Sequence, residues 1–436
     1  MTSVPAPSVL VLGAGPSGLT AAYRLAQSGF RVTILDAAST PGGSLATFPN
    51  SCTPIFGSHH TTWKLLHDLG TTQSHERFQQ IGLEFALQDG RVVRYPTCYL
   101  PRPLHIPSSL SRFRGLSWNE RWALLSWLEQ LWEGALHLPT DLEHRTAADW
   151  LGAQGQSRLT LDQIWNPLAY WLTGNGLHHL SADAFVAAVK TTFLSQTADH
   201  RLYAPNASWD RLLIQPIVER LASQDTIWLP DRRITQFEIG ADRVTGVRSA
   251  QGTLHRADWY VSALPYQQFA SLLPERWLTR YAYFQHLTEL TPVPMNILEI
   301  QTNQPFTALH LVLTNSPSCG WLRTNRSDAG NHTVITAAFS HPPEPQPTEQ
   351  IVTDLLLSLK LISRSARVLS QTPIDSSLSH LSLAPGTKVK RPIPSSPIAN
   401  LLVTGAWTDT GWPANLESAI VSGERCAGVI AAGKSA

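Results

Sequence analysis

The densest concentration of chemically suggestive residues lies at the start of the chain, where Gly13-Ala14-Gly15-Pro16-Ser17-Gly18 fits the spacing G-x-G-x-x-G. In such a run the first glycine makes a tight turn, the second lets backbone approach a pyrophosphate, and the third lets a helix pack close to a strand. Helix N–H groups are then aimed at phosphate oxygens. The pattern is meaningful only between a strand and a helix, and both are predicted here. Val9–Leu12 is an apolar strand, Gly18 to Ser28 carries Leu19, Ala22, Leu25 and Ala26 on one helical face, and Val32–Leu35 reads as a second strand. Asp36 ends that strand about 20 residues beyond the glycines, where a carboxylate can accept from ribose hydroxyls.

Two histidine pairs invite a catalytic reading. His59 and His60 could supply a proton to a leaving hydroxyl, because imidazole titrates near neutral pH; the plainer reading is two loop histidines at a helix start. His178-His179 has no third ligand and no H-E-x-x-H spacing nearby, so no metal is expected. Cys52, Cys98, Cys319 and Cys426 are far apart and form no C-x-x-C pair, which argues against a disulfide framework or a zinc site and fits a reducing cytoplasm. The net charge of +1 gives no strong source of attraction to nucleic acid.

The elements that must position these residues follow from length and periodicity. At 436 residues, 43% apolar and 15% charged, the chain is too long for one ordinary core and rich enough in apolar residues for a large interior or a greasy cavity. The reading divides it into nucleotide-domain parts at 1–62, 205–265 and 395–436, with substrate-domain parts inserted at 63–204 and 266–394. Residues 63–204 read as amphipathic helices separated by proline-rich loops such as Pro101 to Pro107. Ile234–Ile239, Val244–Val247 and Trp259–Ala263 read as short strands, the first two joined by a turn at Gly240-Ala241-Asp242-Arg243. The prolines of His341 to Pro347 forbid regular structure. Leu401–Thr404 is a last buried strand, and a helix is predicted from about Ala414 to Ala432.

Ser117-Trp118-Asn119-Glu120 has the form of a capping box. The helix it opens carries Trp122, Leu125, Leu128 and Trp132 on roughly one face, preceded by Arg102, Arg112 and Arg114. Two readings stay open, a membrane-surface helix through which a lipid enters and ordinary domain packing. No run reaches the ~20 apolar residues that span a bilayer, so the expected location is cytoplasmic, with any membrane contact peripheral at the inner face.

The segment after Asp36, Ala37 to Gly43, resembles the Gly-Gly doublet of glutathione-reductase-type and amine-oxidase-type flavoproteins. The segment Leu401 to Ala419, with Gly405-Ala406-Trp407-Thr408-Asp409 and then Pro413-Ala414-Asn415-Leu416, resembles the C-terminal flavin motif of the same superfamily. Between them Phe56 to Leu66, Leu100 to His105, Trp165 to Ala169, Ser181-Ala182 and Ala263-Leu264-Pro265 occur in the order found in the phytoene-desaturase and squalene-associated branch, and are most similar to the hydroxysqualene dehydroxylase family. The resemblance covers most of the chain. It implies an α/β fold: a Rossmann-like FAD-binding domain of the two-dinucleotide-binding type with an inserted α+β substrate domain. It also implies FAD as cofactor, held by Gly13 to Gly18, Asp36, Ala37, Gly42, Gly43, Ser44, Ile234, Ala263, Leu264, Gly405, Ala406, Trp407, Asp409 and Pro413 to Leu416. The second helix start would turn its N–H groups toward the flavin and stabilise the negative charge of reduction.

The implied reaction is removal of an allylic hydroxyl from a hydrophobic isoprenoid, with an electron donor that the residues do not identify. A desaturase running the opposite way, an amine oxidase and a non-catalytic prenyl-binding protein are the alternatives. Three positions depart from the family pattern: Ser44 stands in place of an Arg, Ala406 in place of an Asp, and Cys52-Thr53 in place of a Gln-His pair. The first two predict a weaker hold on FAD, or substitutes such as Asp409.

Overall fold

The computed structural model describes residues 6–47, 53–72, 77–100, 104–134, 136, 138–194, 199–240, 242–303, 310–316, 319–326, 333–339, 354, 356–357, 359, 362, 367–374 and 379–434. Cys52, Pro101 to Pro103, Ala241 and the proline-rich loop 341–347 lie outside them.

Strand Ser8–Leu12 occupies the middle of a parallel five-stranded sheet ordered Leu401–Val403, Trp259–Ser262, Ser8–Leu12, Arg31–Leu35, Ile227–Leu229. Its members come from both ends and from the middle of the chain, which gives an α/β nucleotide domain interrupted by insertions. Val9 to Leu12 are all at most 2% exposed, as a parallel strand covered on both faces requires. Helix Pro16–Gln27 starts two residues earlier than the sequence suggests, because proline is well tolerated in the first helical turn, where its missing N–H would have had no partner. The last helix runs Leu416–Lys434 and lies directly on the first. A Cβ on Gly423 would come within 2.5 Å of the Ser17 carbonyl oxygen, and Arg24 bridges Asp68 and Glu424, each at 2.7 Å.

The segment 63–204 is not helical throughout. It contributes strands Phe78–Ile81, Leu83–Ala86, Val92–Arg94 and Leu202–Pro205. Leu83–Ala86 and Val92–Arg94 extend the sheet formed by strands of 296–374 to seven members. The expected stripe on the helix Trp118–Glu133 is also corrected. Leu124, Trp127, Leu128 and Leu131 face the core, while Trp118 and Trp122 are 57% and 61% exposed. Trp127 sets this rotation by packing edge-on against Trp150 and Trp165. The capping box is present, with Ser117 N–H donating to Glu120 at 2.9 Å. No helix of the described residues is long and apolar enough to cross a membrane.

Candidate functional site

The carboxyl ends of the parallel strands lie side by side at one edge of the sheet, the place where open α/β sheets bind ligands. Gly13, Asp36, Ala263 and Gly405 all stand there, each just beyond its strand. A Cβ on Gly18 would lie 2.0 Å from the Gly13 carbonyl oxygen, and one on Gly13 would lie 3.0 Å from that of Ala263, so both glycines serve close backbone packing. Gly15 is different. A Cβ there would meet nothing within 4 Å, pointing into open space beside the first turn of helix Pro16–Gln27, which no side chain caps. Bare N–H groups around a space large enough for an added atom suit a phosphate.

The glycine doublet closes this cradle. Gly42 N–H donates to the Ala14 carbonyl at 2.8 Å, and Gly43, with φ +52°, brings its Cβ position to 3.0 Å from Gly15 Cα. The half-buried Asp36 carboxylate accepts from the N–H groups of Ala14 at 2.5 Å and Ala38 at 2.7 Å, with Ala37 exposed between them. These bonds fix it at the rim and leave lone pairs for ribose hydroxyls. Arg232 N–H donates to the Asp36 carbonyl at 2.6 Å, which brings the buried Ile234 to the same end of the sheet. Ser44 is exposed at the start of the short helix Ser44–Thr47.

The second half of the site is the loop from Gly405 to Asn415. Gly405 N–H donates to Ser422 Oγ at 3.0 Å, and the Trp407 indole N–H donates to the Leu264 carbonyl at 3.2 Å, tying Ala263-Leu264 to the loop. Asn415 accepts the Ser418 N–H at 2.9 Å, so one of the first-turn N–H groups expected to face the flavin is taken by a cap. Asp409 is half-buried and closes a local turn on Gly411 N–H at 3.4 Å, while Pro413 is buried and Ala414 and Leu416 half-buried.

Three residues here were not read from the sequence. The Arg391 guanidinium donates to the carbonyls of Ala406 (3.2 Å), Trp407 (3.3 Å), Thr408 (2.5 Å) and Trp412 (2.9 Å). Burial lowers its pKa to about 10, so it stays charged at neutral pH and pins the loop from below. His380, itself made less basic by burial, is hydrogen-bonded to the Ala414 backbone. Glu417, 2% exposed, accepts from Thr61 N–H (2.9 Å), Thr62 N–H (2.8 Å) and Thr62 Oγ1 (2.6 Å), fastening the helix His60–Asp68 to the last helix. Arg391 and Glu417 each act across long sequence separations on backbone groups, which no local pattern announces.

The two histidines part company. His59 is 7% exposed, and burial lowers its pKa to about 3, so its ring is neutral at pH 7; its Nδ1 has no hydrogen-bond partner among the described residues. His60 turns outward, with Nε2 2.8 Å from Oδ1 of the buried Asp199.

Beyond His59 lies an apolar cavity. Its walls include Leu83, Phe85, Phe113, Trp165, Leu168 and Phe193. Phe193 packs edge-on against Phe56 (5.7 Å between ring centroids), Phe56 against His59 (5.9 Å), and His59 against Trp412 (5.3 Å). A continuous wall of rings thus joins the cavity to the Gly405–Asn415 loop.

The model of the family described as flavin containing amine oxidoreductase matches residues 16–431. A zeta-carotene desaturase of Synechocystis is 24% identical over 97% of this chain and 97% of its own length. A 15-cis-phytoene desaturase of Synechococcus elongatus is 23% identical over 97% and 96%. Among solved structures, putrescine oxidase bound to putrescine superimposes with a TM-score of 0.72 at 16% identity, covering 98% of this chain and 99% of the oxidase.

Proposed function

The chain belongs to the flavin containing amine oxidoreductase family and is an FAD-dependent oxidoreductase; on that premise we propose that its substrate is a long hydrophobic isoprenoid and its reaction the reductive dehydroxylation of hydroxysqualene to squalene. The observation that carries this reading is the apolar cavity joined by a wall of aromatic rings to the C-terminal loop of the cofactor site. In the reaction the allylic C–O bond breaks, the oxygen leaves with a proton as water, and the carbon receives a hydride. FAD, bound and reduced by an external two-electron donor, supplies that hydride.

The protein's part is geometry and dryness. Apolar walls keep water from recapturing a cation-like carbon, and the uncapped turn at Gly15 with the Arg391-pinned loop holds the cofactor against one end of the cavity. His59, neutral through burial, orders the ring wall rather than delivering a proton. Of the pair, His60 is the one with a carboxylate partner, Asp199. Anaerobic incubation of the reduced enzyme with hydroxysqualene is expected to yield squalene, and no squalene overturns the reading.

A second reading is supported by the relatives, which are named as desaturases across nearly their whole length. The same cavity and cofactor would then remove hydride from a hydrocarbon. Oxidised enzyme that lengthens the conjugation of a phytoene-like hydrocarbon, read as a red-shifted absorbance, would favour it. For substrate delivery, Trp118 and Trp122 are exposed on the helix whose Leu124 and Leu128 line the cavity, and Leu104 is exposed just before the helix His105–Arg112, whose Ile106 and Leu110 also line it; the three suit peripheral contact with a bilayer.

A further inference from the structure

His59 stands between the cavity and the C-terminal loop, and its ties run to the loop side. Its ring meets Trp412 of the Gly405–Asn415 loop edge-on at 5.3 Å, and Thr61 and Thr62 just after it are fastened to Glu417 of the last helix. It is not one of the residues that line the cavity itself. Its two ring nitrogens differ. Nδ1 is closed off from solvent and has no hydrogen-bond partner, whereas Nε2 is not closed off and is held by no hydrogen bond among the described residues. Burial keeps the ring neutral, so it carries a single proton. On Nδ1 that proton would make a sealed donor with no acceptor, which costs more than an idle lone pair. The proton therefore belongs on Nε2, and the ring offers one N–H that no described residue accepts. An uncharged donor suits a carbonyl oxygen. The flavin ring has two, on the edge where reduction adds negative charge.

We infer that the Nε2–H group of His59 donates to a carbonyl oxygen of the flavin ring and holds that oxygen more strongly in the reduced cofactor. The inference rests on FAD lying against the Gly405–Asn415 loop, and it does not depend on which substrate the cavity takes. His60 does not compete for the same oxygen, because its Nε2 is engaged by Asp199 at 2.8 Å. The consequence is a raised reduction potential, since a hydrogen bond strengthens as its acceptor gains negative charge.

The test is the midpoint potential of the FAD-loaded enzyme without substrate, read anaerobically from flavin absorbance against a reference dye. His59→Phe keeps a ring and removes the donor, while His59→Gln removes the ring and keeps an N–H donor. With Phe, the preference for reduced over oxidised flavin is expected to fall about tenfold, equivalent to a midpoint about 30 mV lower for this two-electron couple. With Gln it should stay within about twofold of wild type. A role confined to packing rings gives the reverse order, and that order overturns the inference. So does a midpoint that neither variant moves, which is also the result for a donor that serves only a substrate oxygen. If the Phe variant does not retain flavin, His59→Leu is compared with His59→Gln by the same criterion. A Gly15→Ala protein that binds FAD as tightly as wild type removes the cofactor from this end of the sheet, and the inference with it. A lowered midpoint with no squalene formed refutes the dehydroxylation and leaves the His59 contact standing. Squalene formed with an unmoved midpoint does the reverse.

Discussion

Gly15 and Gly18 are three residues apart in one motif, yet replacing each with alanine should produce opposite failures. At Gly18 the new carbon would sit 2.0 Å from the Gly13 carbonyl oxygen and 2.9 Å from Ala263 Cβ. A contact that short must open by more than an ångström, and the atoms in the way are backbone, in the most buried part of the sheet. Overpacking of a core typically costs ~1–3 kcal/mol and more when backbone has to move, so Gly18→Ala should lower the thermal midpoint of the apoprotein and reduce soluble yield. At Gly15 the same carbon meets nothing within 4 Å, and φ of −71° is ordinary for alanine. The apoprotein should melt within about a degree of wild type. The added methyl instead fills the space beside the uncapped helix turn and holds the phosphate away from at least one N–H donor. A hydrogen bond to a charged group is worth ~1.5–3 kcal/mol, which corresponds to FAD binding weakened about 10- to 150-fold. Apoprotein melting by circular dichroism and FAD titration by flavin fluorescence separate the two effects. A Gly15→Ala protein that binds FAD as tightly as wild type would refute the assignment of this turn to the pyrophosphate.

Other expectations follow from the same geometry. Arg391→Met removes the donor to four carbonyls of the Gly405–Trp412 loop and should cost about 3 kcal/mol or more through unpaired buried groups, with FAD released at lower temperature than from wild type; an unchanged release temperature in a differential scan with flavin fluorescence would contradict it. His59 binds a proton at about 6.5 in the unfolded chain and only at about 3 in the fold, so between those values the unfolded state takes up more protons and stability rises with pH. On the order of 4 kcal/mol is therefore lost as pH falls from about 6.5 to 3, and His59→Phe should flatten that acid limb in urea titrations; an unaltered limb rules out the buried neutral ring. Trp118→Glu with Trp122→Glu, at exposed positions, should leave melting unchanged and reduce sedimentation with anionic vesicles several-fold, whereas equal sedimentation excludes this face from membrane contact.

What the sequence made legible was whatever depends on neighbours along the chain. The turn at Gly13 to Gly18, the strands on either side and the Ser117–Glu120 box are local devices, and they stand where spacing placed them. Leu83–Ala86 and Val92–Arg94 were hidden because they are short and their sheet is completed by strands more than two hundred residues later. The helix Trp118–Glu133 is apolar on several sides, so its burial was decided by Trp150, Trp165 and Phe185, which pattern alone does not reveal. Arg391 and Glu417 act on groups brought near only by the fold. Asn415 is the exception, an N-cap of the preferred type that the sequence displayed and the expectation of a helix from about Ala414 overlooked.

The placement of the central strand next to a strand made from residues 259–262, itself bordered by residues 401–403, has a consequence for biosynthesis. A ribosome releases the first of these strands long before the last: at 5–20 residues per second, the 389 positions between Leu12 and Leu401 take about 20 to 80 s to translate. Until then the helix that follows the amino-terminal glycine turn has no Gly423 beside its Ser17 carbonyl, and Thr61 and Thr62 lack the Glu417 carboxylate. Loading with flavin thus becomes a late event in the life of the nascent chain, and a message that stops before Leu416 yields a product that has spent its whole synthesis without the helix that would close it.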